Sequence, residues 1–153
     1  MIKKSNQVQK NSNKFYYLAY GSNLSTKHMK SICPSAQFVK TLNLLGFKLE
    51  FRGREQNNGY LTIADSENGY VRSVIYLIDK KDLPKLDEYE DYPNLYEKEE
   101  FELKIDDVSR DVLTYIMKDN FKHYYPSKEY LEILHEGYKE HGYSTFTIDR
   151  MLK

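Results

Sequence analysis

Tryptophan is absent from this 153-residue chain, cysteine occurs once, and neither sign of charge is in excess. The single thiol, Cys33, cannot form an internal disulfide or furnish a cysteine-rich metal site. Lys plus Arg equal Asp plus Glu at 23 each, which removes both the basic field that nucleic acid would need and the acidic excess of a solvating tail. No apolar run reaches the length of a membrane span and the N-terminal stretch lacks the apolar centre of a secretion signal, so a cytoplasmic protein away from membranes is expected. His28, His123, His135 and His141 show no metal-ligand spacing, and no metal is expected. A P-loop, a Gly-x-Gly-x-x-Gly fingerprint and a Gly-x-Ser-x-Gly elbow are all missing, which takes away the usual markers of nucleotide binding and serine hydrolysis.

What the chain has in quantity is tyrosine, 15 residues beside seven phenylalanines. Much of the core must then be aromatic, and buried phenols need hydrogen-bond partners, which makes tyrosine plausible material for a site. The length suits one domain. Residues 1–14 carry four lysines, no acid and little apolar periodicity, and are expected to be a flexible polar leader ahead of a folded domain over 15–153.

From Phe15 the run Phe-Tyr-Tyr-Leu-Ala-Tyr reads as a buried strand ending in a turn at Gly21-Ser22-Asn23, which feeds a short helix. Strand patterns follow over 38–51, 60–64, 71–78, 99–105 and 112–117, with turns expected at Asn57-Asn58-Gly59 and Asn68-Gly69. One helix is predicted over 83–90, with Asp82 as its cap and Pro84 in its first turn. A second is predicted over 128–141, capped by Ser127, with Tyr130, Ile133, Leu134 and Tyr138 as its apolar face and Gly142 as its stop. The alternation is too irregular for a doubly wound parallel sheet. The expected class is α+β, a compact mixed, barrel-like sheet with a few flanking helices.

Two places carry chemistry. Tyr20-Gly21-Ser22-Asn23-Leu24 is a strand-end turn in which glycine lets backbone N–H groups converge, either as a plain turn or as a grip for a carboxylate or an oxyanion. In Leu86-Asp87-Glu88-Tyr89-Glu90, helical spacing puts Leu83, Leu86 and Glu90 on one side while Glu88 points away. A carboxylate beside apolar groups at a helix C-terminus has its ionised form disfavoured by desolvation and by the helix dipole, which suits a proton shuttle. Asp87 lies at the edge of the same face and is the second candidate. A salt-bridged rim acid is the plainer alternative for both.

These pieces come in a recognisable order: Tyr20-Gly21-Ser22-Asn23-Leu24, Gly59-Tyr60-Leu61-Thr62-Ile63, Val71 through Tyr76-Leu77, Leu86-Asp87-Glu88-Tyr89-Glu90, Tyr96, Thr114-Tyr115-Ile116, and Pro126-Ser127 before Tyr130-Leu131. The order resembles the γ-glutamylcyclotransferase-like (AIG2-like) family over residues 15–143. The resemblance implies a β-barrel-like fold and a cyclotransferase that converts a γ-glutamyl amide or amine to 5-oxoproline with release of the free amine, without a cofactor. It implies Glu90 as the catalytic acid and base, substrate gripped by Tyr20, Gly21, Ser22, Asn23 and Leu24, and a pocket lined by Tyr96, Tyr115 and Tyr130. A member that only binds small molecules is the alternative. The implied partner is a small γ-glutamyl substrate, and tyrosine-rich edges could support a homodimer. Two departures concern the pocket's shape: Asp91 stands where the family often has glycine, and Gly137-Tyr138 where it often has Gly-Ala.

Overall fold

A computed structural model describes the backbone of residues 3–4 and the whole of residues 12–153. The strands are β1 (Lys3–Lys4), β2 (Lys14–Ala19), β3 (Gln37–Gly53), β4 (Tyr60–Asp79), β5 (Tyr96–Ile105), β6 (Val108–Met117) and β7 (Lys122–His123). The helices are α1 (Thr26–Ile32), α2 (Leu83–Tyr89), α3 (Lys128–Glu140) and α4 (Phe146–Asp149), and a 3-10 turn, Ser22–Leu24, joins β2 to α1. Most of the polar leader lies outside the described residues. Within it, Lys3–Lys4 pairs with β5 and Lys14 already belongs to β2, so the sheet reaches back past residue 15.

The strands form one mixed sheet in the order β1-β5-β6-β2-β4-β3-β7. β2 lies at its centre, antiparallel to β4 and parallel to β6. That position explains its composition: Phe15, Tyr17, Leu18 and Ala19 are all buried, as in a strand covered on both faces. The α+β class and the mixed sheet are as expected, and among the described residues the sheet is not closed, β1 and β7 ending its ladder. Beyond the end of β2, β4 is joined directly to β6 and β5: Thr62 Oγ1 accepts from Met117 N at 2.9 Å, and Tyr96 OH donates to Leu61 O at 2.7 Å.

The turn expected at Asn68-Gly69 is absent, and β4 runs through it. Between the pairs Leu45↔Tyr70 and Phe47↔Asp65, β3 advances two residues while β4 advances five, so Ser66–Gly69 bulge out opposite Gly46, whose φ is +89°. Gly69 serves close approach rather than reversal: a Cβ there would lie 2.4 Å from Phe47 O.

The helices follow the local signals with one correction. Ser127 caps α3 by accepting from Tyr130 N, and Gly142 stops the chain with φ +71°. Asp82 precedes α2 but does not cap it with its side chain; the carboxylate is turned to Ser35, taking its N–H at 3.0 Å and its hydroxyl at 2.6 Å. Those hydrogen bonds hold the Asp82 carboxyl below the usual range. Among the described residues no helix is long and apolar enough to cross a membrane.

Candidate active site

β2 delivers its C-terminal end to the 3-10 turn, and there the chain bends because Gly21 takes φ −118°, ψ −130° and the Leu24 N–H closes on Gly21 O at 3.0 Å. The Ser22 and Asn23 N–H groups start that turn and have no acceptor within it. Two clamps fix its position. Tyr76 OH donates to Asn23 O and Leu24 O, at 2.8 and 3.2 Å. On the other side α3 presses Gly137 against it so closely that a Cβ would stand 2.7 Å from Ser25 N and 2.9 Å from Leu24 Cβ.

The turn forms one wall of a cavity of about 270 Å³ whose lining includes Tyr20, Gly21, Ser22, Asn23, Glu90, Tyr96, Tyr115 and Tyr130. Residues spread over more than a hundred positions of sequence thus meet in one space. Leu24 is the exception among the expected substrate contacts. It is fully buried in the core, its N–H is used inside the turn, and its carbonyl is taken by Tyr76 and lies 2.8 Å from His141 Nε2.

Glu90 follows directly on α2, donating its own N–H to Leu86 O at 3.0 Å, so the predicted face carries it inward beside the fully buried Leu86. The residue stays half-buried through the cavity mouth, but protein surrounds its carboxyl group. Burial pushes the carboxyl up to about 8, while the Tyr17 hydroxyl pulls the other way. The hydrogen bonds to it are long: Tyr17 OH donates to Oε1 at 3.4 Å and Asn23 Nδ2 at 3.5 Å. Asn23 Nδ2 also donates to Tyr17 OH at 3.0 Å, which leaves its buried Oδ1 with no partner. A buried acceptor without a donor costs about 1–3 kcal/mol.

Asp87 has a different environment. It accepts from Tyr115 OH at 2.5 Å and from Lys98 Nζ at 3.0 Å, tying α2 to β6 and β5. Its oxygens are occupied, and it is absent from the cavity lining that holds Glu90.

The tyrosine hydroxyls differ in what they have left to offer. Tyr20 donates to Tyr115 O at 2.6 Å, Tyr96 to Leu61 O and Tyr115 to Asp87, so these rings shape the wall with their protons committed. Burial raises the pKa of all three. Tyr130 OH accepts from Leu61 N at 3.1 Å and would stand 3.2 Å from a Cβ on Gly21, and its own proton is free for a ligand.

Sequence reasoning missed Tyr17, Arg54, Tyr60 and Tyr89, which also line the cavity. Arg54 pairs with Asp91 at 2.6 Å across the mouth. Asp91 has φ +51°, a left-handed conformation that suits glycine, and its ion pair with Arg54 and the contact from Asn94 Nδ2 at 3.5 Å hold a non-glycine residue there. Tyr138, the other departure, is fully buried behind the turn with its hydroxyl unpartnered, away from the cavity lining. Among the described residues no three His, Cys, Asp or Glu side chains converge as metal ligands.

A family model described as gamma-glutamyl cyclotransferase, AIG2-like, matches residues 17–139. A curated gamma-glutamylcyclotransferase from Homo sapiens is 32% identical over 136 residues, covering 84% of this chain and 72% of that protein. Its counterpart from Bos taurus is 30% identical over 135 residues with the same coverage. A solved structure named gamma-glutamyl cyclotransferase superposes with a TM-score of 0.77 at 29% identity, covering 91% of this chain and 86% of that one.

Proposed function

Because the chain belongs to the gamma-glutamyl cyclotransferase, AIG2-like family, we propose that it converts a γ-glutamyl amide or amine to 5-oxoproline, with Glu90 as the base and then the acid. The observation that carries this reading is Glu90 on the wall of the cavity, its carboxyl pushed up to about 8 by burial, while the other carboxylate lining the cavity, Asp91, is tied to Arg54. At such a value the group can both take and return a proton near neutral pH.

Glu90 takes a proton from the substrate's α-ammonium. The freed nitrogen attacks the γ-carbonyl carbon of the same molecule, the lactam C–N bond forms and the amide C–N bond breaks. Glu90 returns its proton to the departing nitrogen, which leaves as the protonated amine once the lactam nitrogen has shed its second proton. In this reading the N–H groups of Ser22 and Asn23 would hold the α-carboxylate or the tetrahedral oxyanion, and Tyr130 OH would donate to the same charge. Because attack is intramolecular, holding the glutamyl chain folded supplies much of the rate, up to roughly 7–11 kcal/mol in well-oriented cases. The rings of Tyr20, Tyr96 and Tyr115 do this by shape. A cavity of about 270 Å³ is small for a ligand site, so the glutamyl group occupies it and the amine projects to the mouth at Arg54 and Asp91.

The test is to incubate the protein with γ-glutamyl amino acids, γ-glutamyl amines and glutathione and to follow 5-oxoproline by mass spectrometry, beside a folded Glu90→Gln variant. We expect 5-oxoproline from at least one substrate and a loss of at least about a hundredfold in the variant. Binding without turnover across the panel would establish a binding protein instead, and an active Glu90→Gln variant would remove Glu90 from the mechanism.

A further inference from the structure

Three polar groups outside the expected site form a chain that ends on the catalytic wall. His28 Nε2, on α1, lies 2.8 Å from Tyr89 OH, and the same hydroxyl lies 2.8 Å from Ser22 Oγ. The His28 and Tyr89 rings meet edge to face with centroids 5.3 Å apart, which fixes their geometry further. Tyr89 is the last residue of α2 and immediately precedes Glu90, while Ser22 is buried and lines the cavity. The chain therefore connects a half-buried histidine to the substrate wall through one phenol.

A phenol has one proton to give, so the two contacts cannot be set independently. When His28 Nε2 is bare, it accepts the Tyr89 proton. Tyr89 then has only lone pairs for Ser22, the serine donates to it, and the remaining lone pairs of Ser22 Oγ face the cavity. When Nε2 carries a proton the order reverses: His28 donates to Tyr89, Tyr89 donates to Ser22, and the serine proton turns toward the cavity. Ser22 is thus an acceptor in one state and a donor in the other.

We propose that His28 is a positioning residue that acts through Tyr89 to make the Ser22 hydroxyl an acceptor for the substrate's α-ammonium group. The assignment rests on the cyclotransferase reading above. It gives the ammonium an acceptor oxygen on the cavity wall beside Glu90. The charged and titratable groups facing His28 from packed elements are Tyr89 of α2 and Glu136 of α3. Burial lowers the histidine's pKa and Glu136 opposes it; the neutral ring in its Nδ1–H tautomer leaves Nε2 bare and sets the acceptor order. Burial raises Tyr89 to about 12, which keeps its proton in the chain.

The kinetic test compares wild type with His28→Phe, His28→Gln and Tyr89→Phe across pH. His28→Phe should raise KM and lower kcat/KM roughly three- to tenfold at neutral pH with little change in kcat. His28→Gln, whose amide can serve the chain without titrating, should restore KM. In wild type the fall of log(kcat/KM) on acidification should steepen from a slope near one to a slope near two as His28 protonates, and His28→Gln should stay near one. Unchanged KM in His28→Phe, or an identical acid slope in wild type and His28→Gln, overturns the proposal. A readout independent of turnover is the imidazole nitrogen resonance of His28, which must move on Ser22→Ala and on Tyr89→Phe. If it moves while no γ-glutamyl substrate reacts, the chain stands and the cyclotransferase reading falls; if it does not move, there is no chain.

Discussion

Tyr17 moderates how far burial raises the pKa of the Glu90 carboxyl. Its hydroxyl is the nearer of two donors to Glu90 and lowers the carboxyl's pKa against the dominant effect of burial. Tyr17→Phe should therefore move the acid limb of kcat/KM above the value near 8 expected of wild type, leaving the plateau at high pH less affected. A pH–rate profile measures this, and a limb that stays put or moves down would show that the 3.4 Å contact has no part in tuning Glu90. The sequence permitted half of this picture. Glu90 was legible because Leu83, Leu86 and Glu90 share a helical face, and Gly21 because a strand ends there. Tyr17 was not, since nothing in Phe15-Tyr16-Tyr17 says which ring meets a carboxylate 73 residues away. The misplacement of Leu24 has a physical reason as well: in a 3-10 turn the third residue points back over the core, while the first two face outward into the cavity.

At the level of elements, the contact between α3 and the catalytic turn is set by Gly137. Gly137→Ala would place a methyl group 2.7 Å from Ser25 N, against backbone that Tyr76 and His141 already hold, so the turn or the helix must shift. We expect a loss of about 1–3 kcal/mol in denaturant unfolding. A fall in kcat/KM should accompany it, because the displaced N–H groups belong to Ser22 and Asn23. Loss of stability with full activity would mean that α3 supports the core without positioning the turn. The helices themselves were readable from Ser127, Gly142 and Pro84, which act locally. The continuity of β4 was not, because Asn68-Gly69 has the composition of a turn and only its pairing against Gly46 makes it a bulge. The Asp82 cap failed for a similar reason: its carboxylate had a better offer from Ser35, 47 residues away.

For the whole molecule, the raised pKa of Glu90 is a statement about stability. The folded protein binds this proton more tightly than the unfolded chain does, with values near 8 and 4.5, so stability falls as pH rises between them and the loss is complete above about 8. Glu90→Gln removes that loss. Its melting temperature should match wild type near pH 4 and exceed it at pH 9, by several degrees in a domain of this size. A thermal melt series checks this; a variant that is equally stable at both ends would mean the carboxyl is better solvated than its surroundings indicate. The placement of β2 has a further consequence. Although it precedes both in the chain, its two neighbours are β4 and β6, which end at Asp79 and Met117. The turn that β2 carries gains its last restraint only from α3. The chain must therefore be present through α3 before the turn that follows β2 is fully restrained, and folding is governed by long-range encounters rather than by neighbours in sequence.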